Sequence, residues 1–74
     1  MEHTREAVAA EIRAELARQN KSKVALAAQL NISTYTLRRR LEGVRPFYFH
    51  EAEIISGFLD IPLSVILKRS RDAA

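Results

Sequence analysis

Apolar residues in this chain recur three and four positions apart, and nowhere do they alternate with polar ones in the period of two that a strand needs. Val8, Ile12 and Leu16 repeat at four-residue steps with charges between them. That spacing predicts an amphipathic first helix over about residues 5–19. Ala9, Ala10, Ala14 and Ala17 raise its propensity. The pattern is then broken at Asn20, Asn31, Gly43, Pro46 and Pro62. A chain of 74 residues cut at those points has room for one small bundle of short helices.

The remaining helices follow from caps and spacing. Ser22 is a capping residue type, and Val24, Leu26, Ala27 and Leu30 are expected on the inner face of an eight-residue helix 2. Asn31 tolerates the left-handed geometry that ends such a helix. Ser33 is again a cap type, and Thr34 to Leu41 form helix 3, with Leu37 and Leu41 as its inner stripe. Gly43 is a stop signal. Val44-Arg45-Pro46 reads as a linker, and Phe47 and Phe49 are expected to anchor the chain after it. Helix 4 is expected over Phe49–Leu59, burying Ile55, Phe58 and Leu59, with Ile54 beside them. Gly57 inside it is expected to permit close packing. Pro62 suits the first turn of a short helix 5 from Leu63 to about Lys68, with Ser70 to Ala74 fraying. The expectation is thus one all-α domain over 1–74, ordered over about 5–68, with loose termini.

Composition excludes several classes. There is no Cys, so neither a disulfide scaffold nor a thiolate metal site is available. No apolar run is long enough to span a membrane, and the stretch MEHTREAV, with acids and no hydrophobic run, is not expected to act as a signal peptide. His3 and His50 are the only histidines and offer no set of three or four converging metal ligands. The acid pairs Glu11/Glu15 and Glu51/Glu53 have no substrate-sized pocket to work in. There is no Gly-rich phosphate loop and no nucleophile elbow. The expectation is no enzyme, no cofactor, no metal and no small-molecule ligand.

The net charge of +3 hides an uneven distribution. Residues 21–45 hold six bases (Lys21, Lys23, Arg38, Arg39, Arg40, Arg45) and one acid (Glu42), a local net of +5. Residues 46–67 hold Glu51, Glu53 and Asp60 and no base. A basic block of this kind is either a solvated helix face or a footprint for a polyanion, because lysine and arginine neutralise phosphates and release counterions.

Helices 2 and 3, joined by Asn31-Ile32-Ser33, decide between these. Ala27 is small enough to let two helix axes cross closely, Ile32 can plug the turn, and Leu37 can pack back on helix 2. This is the geometry of a helix-turn-helix, whose second helix enters the major groove. The stretch from Leu26 to Gly43, LAAQLNISTYTLRRRLEG, resembles the Cro/phage-repressor-type (XRE) helix-turn-helix family. The likeness continues through Arg45-Pro46-Phe47 and Leu59-Asp60-Ile61-Pro62-Leu63 and covers about residues 5–68. It implies a compact five-helix, lambda-repressor-like DNA-binding domain. Two positions depart from the family pattern. The usual turn Gly is Asn31, and a Glu that pairs with a helix 1 Arg in many members is Leu41, so apolar packing is expected in its place.

The resemblance implies a sequence-specific regulator of transcription that binds a double-stranded DNA operator and represses by occupying it. On the helical wheel, Tyr35, Arg38, Arg39 and Glu42 share the outer arc of helix 3, opposite Leu37 and Leu41. By the resemblance, Thr34, Tyr35, Thr36 and Arg39 face base edges, with Arg38 next in line for base or phosphate. Arginine can bond bidentately to guanine, and a threonine methyl can touch a thymine methyl. Lys21, Ser22 and Lys23 at the start of helix 2 form a natural phosphate site, helped by the helix dipole. Arg45 occupies a loop where family members touch the other side of the groove. Arg40 lies off the outer arc, and either reaches a phosphate or packs its stem on helix 4.

A second reading, an antitoxin or adaptor binding a partner protein, uses the same fold. Leu63, Val65 and Ile66, with Leu67, exceed what one inner face requires, and mark a possible dimer or partner surface. A homodimer, or one formed only on DNA, is open; without a strand after helix 5, dimerisation by strand exchange is not expected. The expected location is the bacterial cytoplasm or nucleoid, or the host cytoplasm for a phage-encoded protein.

Overall fold

The computed structural model describes residues 5–73. Among them are five α-helices and no strand: α1 Arg5–Arg18, α2 Lys23–Leu30, α3 Thr34–Leu41, α4 Phe49–Leu59 and α5 Leu63–Ala73. None of them is long and apolar enough to cross a membrane. The expectations for Met1 to Thr4, including His3, and for Ala74 lie outside the described residues.

Each break has a physical cause. Ser22 and Ser33 each accept a hydrogen bond on Oγ from the main-chain N–H three residues on, at 3.0 Å. These bonds satisfy donors that the first turn leaves without partners. Asn20, Asn31 and Asp60 take left-handed φ values of 56°, 58° and 56° at helix ends, where the reversal lets the following N–H groups return to the last carbonyls. Leu26, Ala27 and Leu30 of α2 meet Leu37 and Leu41 of α3, Ile12 and Leu16 of α1, Ile55 and Leu59 of α4 and Ile66 of α5 in one buried cluster. Ile32 in the turn packs against its side, as do Phe47, Ile54 and Phe58.

Five sequence expectations are corrected. Val24 is 65% exposed rather than inside; it precedes Leu26 by two residues, about 200° around the helix. Phe49 is 73% exposed, so Phe47 alone of the two anchors the chain. Phe58 is half-buried, lying beneath the Lys21 ammonium at 4.9 Å. A Cβ placed on Gly57 would meet nothing within 4 Å, so this residue does not serve close packing. Helix α5 does not stop near Lys68. It continues to Ala73, with Ser70 buried and Arg69 reaching back to Glu15 of α1 at 3.0 Å.

Glu15 is the polar hub of this packing. Its carboxylate is buried and accepts from Gln19 Nε2 at 2.8 Å, Arg18 Nε at 2.8 Å and Arg69 Nη1 at 3.0 Å. Gln19 Nε2 also donates to the Leu59 carbonyl at 2.7 Å, which ties α1 to the end of α4. The hydrogen bond from Gln19, then that from Arg18, hold the Glu15 carboxyl below the usual carboxylate range, against the opposing effect of burial. A lowered folded-state pKa stabilises the fold above the unfolded pKa of about 4.3, and that share is lost as pH falls through the folded value. Thermal melts are therefore expected to place Glu15→Gln well below the wild type at pH 7. The gap should narrow at pH 3; a gap independent of pH would mean that the Glu15 charge contributes nothing.

Candidate nucleic-acid interface

The sequence carries twelve lysines and arginines, and the structure divides them sharply. Arg18 pairs with Glu11 and Glu15, Arg69 with the same two acids, Arg40 with Glu51, and Lys68 with Asp72. Arg71, near the end of α5, neighbours Asp72 in the chain but makes no ion pair or hydrogen bond among the described residues. Arg5 donates to the Gly43 carbonyl at 3.3 Å, Arg13 to the Leu41 carbonyl and Lys21 to the Phe58 carbonyl. The other four, Lys23, Arg38, Arg39 and Arg45, have no ion pair or hydrogen bond among the described residues. All four are exposed and all four belong to the basic block.

Their placement follows from α3. Leu37 and Leu41 are buried and fix the helix's inner side, so Tyr35, Arg38 and Arg39 must point out; Tyr35 is 70% exposed. On one side of α3, Tyr35, Thr36, Arg39, Arg40 and Arg45 line a surface groove of about 420 Å³. On the other, Lys23, Arg38 and Thr34 line a second, joined by Arg13 and Lys21. Glu42 is the one acid among the residues lining these surfaces, beside Arg38 and Lys23. The four free cations of the basic block thus flank an exposed helix on both sides.

The other expected site residues divide by their partners. Ser33 Oγ donates to Thr36 Oγ1 at 2.9 Å, so the Thr36 hydroxyl is held by its own cap. Ser22 Oγ is engaged with Ala25, while the N–H groups of Lys23 and Val24 open the helix without intrahelical partners. Lys21 lines the Lys23 groove, but its ammonium is turned to the end of α4. Arg40 packs on α4, which is one of its two expected roles. It is half-buried against α4, with its guanidinium on Glu51 and 5.3 Å from the centre of the Tyr48 ring. Leu41 is buried in apolar packing, and Arg13 of α1 donates to its main-chain carbonyl.

The surface expected of Leu63, Val65 and Ile66 is corrected at Ile66, which is buried in the core. Leu63 and Leu67 instead line an apolar groove of about 380 Å³ with Val8, Phe47, Phe49 and Ala52, rimmed by Arg5 and Arg45. Sequence reasoning missed Arg13 and Glu51 as members of this region. Neither lies in a recognisable pattern; each acts through a contact between distant helices. Among the described residues no three His, Asp or Glu side chains gather as a metal site.

No protein-family model, curated protein or solved structure matches the chain.

Proposed function

We propose that the chain is a sequence-specific double-stranded DNA-binding regulator of transcription, built as a lambda-repressor-like helix-turn-helix domain with α2 and α3 as the motif. One observation carries the reading. Four of the cations without an ion pair or hydrogen bond flank the exposed side of the second helix of a tightly turned pair, Arg71 near the end of α5 standing apart from them, while the other seven are bonded within the protein. A solvated face would not need its charges concentrated there; a helix lying in the major groove would, because phosphates run along both of its sides.

In this reading α3 lies in the groove with Tyr35, Arg38 and Arg39 towards the base edges and Thr34 and Thr36 beside them. Arg45 meets the backbone on one side. Lys23 and the first N–H groups of α2 meet it on the other, where the helix dipole favours an anion. Ser22 and Ser33 act by capping, and Arg40 by bracing α3. Occupation of an operator overlapping a promoter would make the protein a repressor.

Selection of bound sites from a random DNA pool tests the reading. A short enriched sequence supports it, and a palindrome would add two-fold assembly. No enrichment sinks it and leaves the adaptor reading, which the apolar groove at Leu63 and Leu67 favours. On the selected site, Lys23→Ala is expected to weaken specific and random DNA alike and to flatten the salt dependence by about one unit of slope. An unchanged slope would remove Lys23 from the footprint.

A further inference from the structure

We propose that Glu51, a buried acid on α4, is a positioning residue for the DNA-reading surface; the proposal rests on the DNA-binding reading. Glu51 Oε1 accepts two hydrogen bonds, one from the Arg40 guanidinium of α3 and one from the Tyr48 main-chain N–H at 2.9 Å. The side chains of Arg40 and Glu51 are 14% and 5% exposed, so the pair is largely shielded from water and screened little by salt. Tyr48 ends the connection from α3 to α4, and that connection carries Arg45. Its beginning is already held: the N–H groups of Gly43 and Val44 return to the carbonyls of Arg40 and Arg39 at 3.0 and 3.4 Å. Glu51 holds its far end to the same helix. Both ends of the Arg45 loop are therefore referred to α3, which sets Arg45 in the groove that Arg39 also lines.

The acid has a second effect. Arg40 lines the same groove as Arg39 and Arg45, and Glu51 keeps its charge from joining theirs. Three consecutive arginines would otherwise offer a polyanion three mobile cations of little selectivity. With Arg40 held, two remain.

Glu51→Gln keeps the shape and an acceptor for Tyr48 but removes the charge that holds Arg40. Glu53→Gln, an exposed site on the same helix, makes the same change in net charge. Glu51→Gln is expected to lower the ratio of selected-site to random-DNA affinity about tenfold, the worth of one weakened base contact. It should also steepen the salt dependence by about one unit, as Arg40 becomes free to meet a phosphate. Arg40→Met/Glu51→Gln should return the slope to that of the wild type, and Glu53→Gln should change neither quantity. Equal behaviour of Glu51→Gln and Glu53→Gln, in proteins with the same helical circular dichroism, overturns the proposal. In the free protein, rotation of the Arg40 guanidinium by NMR should be slow, unlike that of Arg39, and should quicken in Glu51→Gln. Fast rotation of Arg40 in the wild type overturns the clamp whatever the DNA does. A wild type that binds selected and random DNA equally overturns the DNA reading and Glu51's part in it, and the rotation measurement still judges the clamp.

Discussion

Gly43→Ala is expected to destabilise the domain by about 2–4 kcal/mol, whereas Gly57→Ala stabilises it by about 0.5–1 kcal/mol. The chain has two glycines, and the structure gives them opposite reasons to exist. Gly43 has φ 82°, and a Cβ there would lie 2.9 Å from the Glu6 Cα. Left-handed geometry costs a non-glycine residue about 1–2 kcal/mol. The collision is with backbone, so α1 and the end of α3 must move apart, which adds roughly 1–3 kcal/mol. The smaller entropy of the unfolded Ala chain returns only about 0.4–1 kcal/mol. For a domain of this size the fall in Tm should be about 10–20 °C. Gly57 has nothing within 4 Å and sits exposed inside α4, so only its helix propensity is at stake. Thermal melts of the two variants check both signs at once. A Gly43→Ala protein as stable as the wild type would mean that α1 is not held against the end of α3 as described.

The contrast between the glycines also marks what was legible in the chain. Gly43 was readable as a helix stop because the conformation it supplies is local. That α1 presses on it was not readable, since Glu6 lies 37 positions earlier. The bounds of α2 and α3 follow from Ser22, Asn31, Ser33 and the leucine spacing, and those of α4 from the breaks at Pro46 and at Asp60-Ile61-Pro62, all of which act within a few residues. Helix α5 ran past its expected end because Arg69 finds Glu15 on another helix, a partner that no local pattern names. Val24 and Phe49 were misjudged for a related reason. Apolar residues near a helix start look alike in sequence, and only the rotation of the packed helix decides which face water.

The same division holds in the site. Tyr35, Arg38 and Arg39 were expected outside because Leu37 and Leu41 had to be inside, a consequence of helical geometry alone. Arg40 was left between two roles because the wheel put it at the edge; the buried carboxylate that claims it comes from α4. In sequence Glu51 and Glu53 read alike, as an acid pair without a pocket. Only the packing of α4 turns Glu51 into the protein and leaves Glu53 in water. The partnering of each cation, rather than its position in the basic block, is what separates Arg39 from Arg40.

Arg39→Ala is expected to lower affinity for a selected operator by about 1–3 kcal/mol, roughly five- to 150-fold, and to relax the preference at one base pair. Arg39 is exposed, has no partner among the described residues, and shares its groove with Tyr35, Thr36 and Arg45. With nothing inside the protein to lose, truncation should leave the thermal midpoint nearly unchanged, within the ±0.5 kcal/mol usual for such sites. The effect should then fall entirely on DNA. A guanidinium reading a guanine makes two parallel hydrogen bonds that no other base offers in the same place, so its loss is felt at one position of the site and little on random DNA. A guanidinium on a phosphate is indifferent to sequence, and its loss weakens all DNA together while flattening the salt dependence. Titrations against the selected site, its single-base variants and random DNA at two salt concentrations separate the cases. Equal weakening on every sequence, with a slope reduced by about one, would move Arg39 to the backbone and leave Arg38 and Tyr35 to carry the specificity.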